Sequence, residues 1–141
     1  MITKEIEAIF AGQDVGDGDV DIARVLKAHD RLMDTATKAD LPQLVTAIQS
    51  PRNNFWTREL FSCPICELGG SDYLEILLEA NQLNFDEGYD NDLFNTNLIE
   101  VASAEPNKCR AKIEQLLACS DFKYREAAIW LLEFCTTSYR S

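Results

Sequence analysis

The sequence predicts an all-α protein in which antiparallel helix pairs stack as a short α-solenoid. Three observations lead there. Apolar residues recur at spacings of three and four, and no stretch alternates as a half-buried strand does. Caps and breakers divide the chain into eight such apolar stretches. And one segment echoes another: Asn54-Phe55-Trp56-Thr57-Arg58-Glu59 returns as Asp121-Phe122-Lys123-Tyr124-Arg125-Glu126. Arg58 and Arg125 are 67 residues apart. Half of that, about 33, falls in the range of stacked helical repeats, whose units cannot bury their apolar faces alone.

The elements follow in order. Thr3 caps a first helix with Ile2, Ile6 and Ile9 on one face, ending near Ala11-Gly12. Helix two runs from about Asp21 to Thr37 with the stripe Ile22, Val25, Leu26, His29, Leu32 and Met33. Asp40 is expected to cap helix three, with Pro42 in its first turn and a stop at Ser50-Pro51. Helix four starts near Asn54 and stops at Gly69-Gly70. Ser71 is expected to cap helix five, and the polar stretch 84–91 reads as a turn. Helix six starts near Asp90, Pro106 opens helix seven, and Asp121 is expected to cap helix eight; from about Thr136 the chain reads as frayed. Short connections pair three with four, five with six and seven with eight. We read a single domain, with an N-terminal helical pair over 1–39 acting as a cap and repeats over 40–141.

Composition excludes several classes. A hydrophobic fraction of 46% suits a globular chain. The opening Met1 to Glu7 is amphipathic and acidic rather than a basic, apolar leader, and no run has membrane-spanning length. The expectation is a cytoplasmic protein that does not engage membranes. A net charge of −11 argues against direct nucleic-acid binding, which needs clustered Lys and Arg. It favours encounter with a basic protein partner, although acidity also serves solubility alone.

An Asp or Asn cap followed by an aromatic and Arg-Glu, opening the second helix of a pair, resembles HEAT-type repeats. The matching segments are Ser50-Pro51 with Trp56-Thr57-Arg58-Glu59, and Ser120-Asp121 with Tyr124-Arg125-Glu126-Ala127-Ala128. The likeness spans about residues 40–135; Pro64 interrupts helix four, and the middle unit lacks Arg-Glu. The resemblance implies a curved stack that binds other macromolecules, and no particular chemistry. Arg58 and Arg125 are expected to bond carbonyls or a carboxylate of the adjoining unit.

Four constellations invite chemistry. Cys63-Pro64-Ile65-Cys66 has redox spacing, but it lies inside a helix with no preceding strand, so core packing is the expectation. The other cysteines, Cys109, Cys119 and Cys135, supply no matching pair for a metal. Asp14 to Asp21 resembles a calcium loop, yet the twelfth position is Val25, so a solvated loop with Asp19 or Asp21 capping helix two is expected. His29, the single histidine, lies on an apolar stripe and reads as a satisfied core residue. No catalytic residue, metal or cofactor is assigned.

The fourth constellation is Phe85-Asp86-Glu87-Gly88-Tyr89-Asp90-Asn91-Asp92, two aromatics among four carboxylates at a turn. Aromatic anchors ringed by charge suit a contact with a basic protein. The expected partner-binding residues are Phe85, Asp86, Glu87, Tyr89, Asp90, Asp92 and Asn95. The competing reading is an ordinary acidic turn, with Phe85 tucked into the core and Asp90 as a cap. The functional expectation is a non-enzymatic binding module, such as an immunity protein that occludes a basic bacterial toxin. A scaffold subunit is the alternative, and a HEAT-like DNA-repair enzyme a more distant one.

Overall fold

The computed structural model describes residues 2–13 and 21–135. Of the acidic loop only Asp21 falls among them; the calcium reading of the rest, and the frayed tail, lie outside. The described chain is all-helical: α1 (Thr3–Gln13), α2 (Ile22–Thr35), α3 (Leu41–Ile48), α4 (Phe55–Gly69), α5 (Leu74–Asp86), α6 (Asp92–Ala104), α7 (Pro106–Ala118) and α8 (Arg125–Leu132). Two 3-10 turns, Lys38–Asp40 and Gly70–Tyr73, lead into α3 and α5. No strand occurs among the described residues.

Local chemistry places several ends as expected. Asp21 caps α2 by accepting from the Arg24 N–H at 3.1 Å. Asn54 and Thr57 form a reciprocal capping box at the start of α4, each side chain accepting from the other's backbone N–H at 2.9 Å. Such a cap contributes about 1 kcal/mol.

Other expected caps act differently. Asp40 makes no side-chain bond to α3; its Oδ2 accepts from the Thr37 N–H at 2.9 Å and closes the 3-10 turn instead. Ser71 lies within the second 3-10 turn, so α5 starts at Leu74. Asp121 sits in the turn after α7, and Tyr124 occupies the cap position of α8. Gly12 lies inside α1 rather than past its end. A Cβ there would stand 2.6 Å from Val25 Cγ2, so the missing side chain is what lets α2 approach α1.

α4 is the hub. It packs against α1, α2, α3, α5 and α6. Its buried residues Thr57, Leu60, Phe61, Ser62, Pro64, Ile65 and Cys66 leave little free face, as a helix with neighbours all round requires. Burying a side chain such as Leu60, Phe61 or Ile65 contributes roughly 1.5–3 kcal/mol. The pairs α1–α2, α3–α4 and α7–α8 are in contact as expected. The middle pair departs: α5 lies mainly on α4 and α8, α6 mainly on α4 and α7, and the two touch each other only slightly.

The α2 stripe is narrower than its periodicity suggests. Val25, Ala28 and Leu32 are buried, whereas Ile22 and Leu26 are 57% and 44% exposed. His29 is half-buried, with Nε2 3.0 Å from the carbonyl oxygen of Leu60. The reason lies one turn further along α4. Residue 64 would normally donate its N–H to that carbonyl, and proline has none. His29 supplies the missing donor, which assigns the proton to Nε2 because a carbonyl only accepts.

Two outcomes follow. Losing His29 leaves a part-buried carbonyl unpaired, so His29→Ala is expected to destabilise by about 1–3 kcal/mol in urea melts. In a Pro64→Ala background the backbone donor is restored, and the cost of removing His29 is expected to shrink; strict additivity in the double-mutant cycle would refute the coupling. Burial, opposed by the Leu60 bond and by Asp30, holds the His29 pKa below its ordinary 6.5. The unfolded chain then binds more protons just below that value, so stability falls as pH drops through about 6.5 toward the lower folded pKa. Melting temperature is expected to decline over that window in the native protein and to change less in His29→Gln.

Candidate functional site

The turn between α5 and α6 is built from beneath by asparagines. Asn84, on the last turns of α5, is fully buried. Its Nδ2 donates to the Phe55 carbonyl and to Asn91 Oδ1, both at 2.9 Å, and its Oδ1 accepts from Arg58 Nη1 at 2.9 Å. Asn91 Nδ2 in turn donates to the Asn81 carbonyl at 2.9 Å. Buried amides of this kind are tolerated only when partnered, and these are. The network ties the start of α4, the end of α5 and the start of α6 into one junction.

Backbone geometry follows from this junction. α5 runs through Asp86, so Asn84 and Phe85 are helical rather than part of the turn. Gly88 has φ +91°, a conformation L side chains rarely adopt, and its N–H donates to the Phe85 carbonyl at 2.9 Å. Asn91 stands in the left-handed region at φ 59° immediately before α6, held there by its two side-chain bonds. Asp90 is therefore not the cap of α6, which starts at Asp92.

The expected contact residues separate into two groups. Glu87 is paired, its Oε1 2.8 Å from Arg58 Nη1; the Arg58 side chain is mostly covered, whereas that of Glu87 stays 44% exposed. Asp86 Oδ1 accepts from Gln82 Nε2 at 3.0 Å. Asn95 is half-buried, and its Oδ1 accepts from Asn81 Nδ2 at 2.9 Å. Phe85 and Tyr89 have no such polar ties among the described residues and are 60% and 41% exposed, with the Tyr89 ring stacked on Phe55 at 3.7 Å. Asp90 and Asp92 are both exposed, Asp92 as the first residue of α6. Phe85 does not tuck into the core, contrary to the competing reading of the turn.

Arg58 and Arg125 both brace neighbouring elements, but not from equivalent positions. Arg58 lies one turn into α4 and reaches the α5–α6 turn. Arg125 is the first residue of α8, and its guanidinium donates to the Leu117 and Cys119 carbonyls at 2.7 and 3.4 Å, closing the end of α7. The echo thus places its two arginines at different points of their helices.

Tertiary packing adds residues that the linear reading missed. A cleft of about 280 Å³ opens beside the turn, with Phe85, Asp90 and Asn95 on one side and Glu126 and Trp130 of α8 on the other. α8 is anchored there by the Ala127 N–H donating to Gln82 Oε1 at 3.0 Å and by Tyr124 Oη donating to Glu79 Oε2 at 2.9 Å. Glu126 and Trp130 lie far from the turn in sequence; the echo includes Glu126, but nothing local links either residue to the turn.

A second, broader groove of about 1090 Å³ runs between α2, α4 and α6 and includes His29, Cys63, Cys66 and Asn97. Asn97 Nδ2 donates to Cys63 Sγ at 3.2 Å. Burial pushes both thiols of the Cys63/Cys66 pair up, and that of Cys109 up to about 12. A redox pair needs the opposite shift. Among the described residues no group of His, Cys, Asp or Glu is placed to hold a metal ion, and no helix is long and apolar enough to cross a membrane.

Comparison of the chain with protein-family models, with curated proteins and with solved structures finds no match.

The junction and the surface it carries are expected to respond differently to mutation. Asn84→Ala removes a side chain that bridges three elements and is expected to destabilise by about 2–4 kcal/mol. Phe85→Ala, on the exposed side, is expected to stay within about 0.5 kcal/mol of the native protein. Chemical denaturation of both variants checks this, and comparable losses would show that Phe85 is part of the core.

Proposed function

We propose that the protein is a non-enzymatic, cytoplasmic binding module that occludes a basic protein partner, in the manner of an immunity protein acting on a bacterial toxin. The observation that carries this reading is the exposed Phe85 and Tyr89 set beside Asp90 and Asp92, from the end of α5 to the start of α6, around a turn that a buried amide network holds in place. Rigid aromatic anchors lose little entropy on binding, and surrounding carboxylates speed encounter with a cationic surface. The net charge of −11 extends that field over the whole molecule.

The helices are proposed to form a short HEAT-like stack of antiparallel pairs. Support comes from the contacts of α3 with α4 and of α7 with α8, and from the two arginines that brace adjoining elements. The loose middle pair is the departure. A scaffold subunit of a larger complex would use the same surface. It would differ in holding partners without suppressing an activity. The acidic balance weighs against the DNA-repair alternative.

The test uses the native protein and a variant with Phe85, Tyr89 and Asp92 changed to Ala, after checking that the two melt alike. Each is used to capture partners from the source lysate, and any captured protein is then purified and assayed with both. The expected result is one stoichiometric basic partner, retained by the native protein, inhibited by it, and lost with the variant. Partners that bind both forms equally and keep their activity would replace inhibition with scaffolding.

A further inference from the structure

The cleft beside the α5–α6 turn is chemically one-sided. Two carboxylates, Asp90 and Glu126, stand at its exposed edges, and among the described residues no Lys or Arg lines it. Its flanks carry two aromatic rings, Phe85 and Trp130. Its floor is amide: Asn81 is buried and donates to Asn95, and the Asn95 Nδ2 donates onward to the Asp90 carbonyl at 3.4 Å. These inward bonds fix the amides that line the cleft. At about 280 Å³ the cleft falls just below the size range of small-molecule pockets and suits a single long side chain.

From this geometry we infer that the cleft receives an arginine side chain projecting from the protein partner. The inference rests on the protein-binding reading for the source of that arginine, and on the cleft alone for its chemistry. A guanidinium is planar, so it can lie against Phe85 or Trp130, and its several N–H groups can be shared between Asp90 and Glu126. An ammonium offers a smaller, more strongly hydrated charge with no plane to stack. The cleft also adjoins the exposed face of Phe85. An inserted arginine would therefore sit at the edge of the aromatic contact, where interface anchors are partly shielded from water.

The probes are three capped tripeptides, glycine-X-glycine, with X as arginine, lysine or citrulline. Citrulline keeps the planar shape and removes the charge. Binding is read on the full chain from the side-chain amide signals of Asn81 and Asn95 and the indole N–H of Trp130 in nitrogen-proton NMR spectra. The arginine peptide is expected to shift these signals saturably, with a dissociation constant on the order of 1 mM. The lysine peptide is expected to bind at least about threefold more weakly, and the citrulline peptide not at all. Asp90→Asn combined with Glu126→Gln is expected to abolish the arginine response. Equal responses to arginine and citrulline, an unchanged response in the double variant, or no saturation would each overturn the inference. If the double variant does not fold, the citrulline comparison on the native protein decides. Arginine binding with no inhibited partner would remove the inhibitor reading and leave the cleft; an inhibited partner with an arginine-blind cleft would do the reverse.

Discussion

A helix packed among α1, α2, α3, α5 and α6 has few places to send an unpaired polar group, and α4 is such a helix. The rest of the molecule is arranged around that constraint. Proline at position 64 leaves the Leu60 carbonyl without its helical donor, and α2 is positioned so that His29 supplies one. Arg58 directs its guanidinium to the end of α5, and the Glu59 carboxylate accepts from the Phe94 N–H in the first turn of α6 at 3.2 Å. An acceptor at that point offsets the free N–H groups and positive end of a helix. These three polar groups of α4 thus tie it to α2, α5 and α6.

The same ties explain why the candidate contact surface is well defined. A turn carrying several carboxylates would ordinarily be mobile, since like charges repel and no apolar contact holds them. Here the charges sit on a backbone gripped by Asn84 and Asn91, and one of them, Glu87, is neutralised by Arg58. The aromatics are divided: Tyr89 has a partner in Phe55, and Phe85 is left outside. Removing apolar surface from water is favourable, so an exposed Phe on a rigid support is a site with free energy still to gain from a partner.

The sequence made the helical class and most helix locations legible, because apolar periodicity and Gly or Pro stops are local signals. Asn54, Asp21 and Pro106 read correctly for that reason. Asp40 holds the cap position of α3 without a side-chain bond to it, and Ser71 and Asp121 are not caps, because a cap-type residue can equally close a 3-10 turn or sit in another turn, and composition does not separate these uses. The acidic turn was visible as a cluster. The division within it was not, since whether Glu87 faces Arg58 or water depends on a residue from another helix. The α2 stripe failed in the same way: periodicity lists apolar positions, and only the neighbours decide that Ile22 and Leu26 stay uncovered.

What the sequence determined by itself was the short-range part: helices, most of their stops, the acidic balance and an acidic turn around Tyr89. Those depend on interactions within a few residues and on counting charges. What only the tertiary structure decided was which polar groups meet. The donor from His29 to Leu60, the Asn84 junction, and the placing of Glu126 and Trp130 opposite Asp90 all join distant segments. Their energies arise from burial, which does not exist until the helices pack.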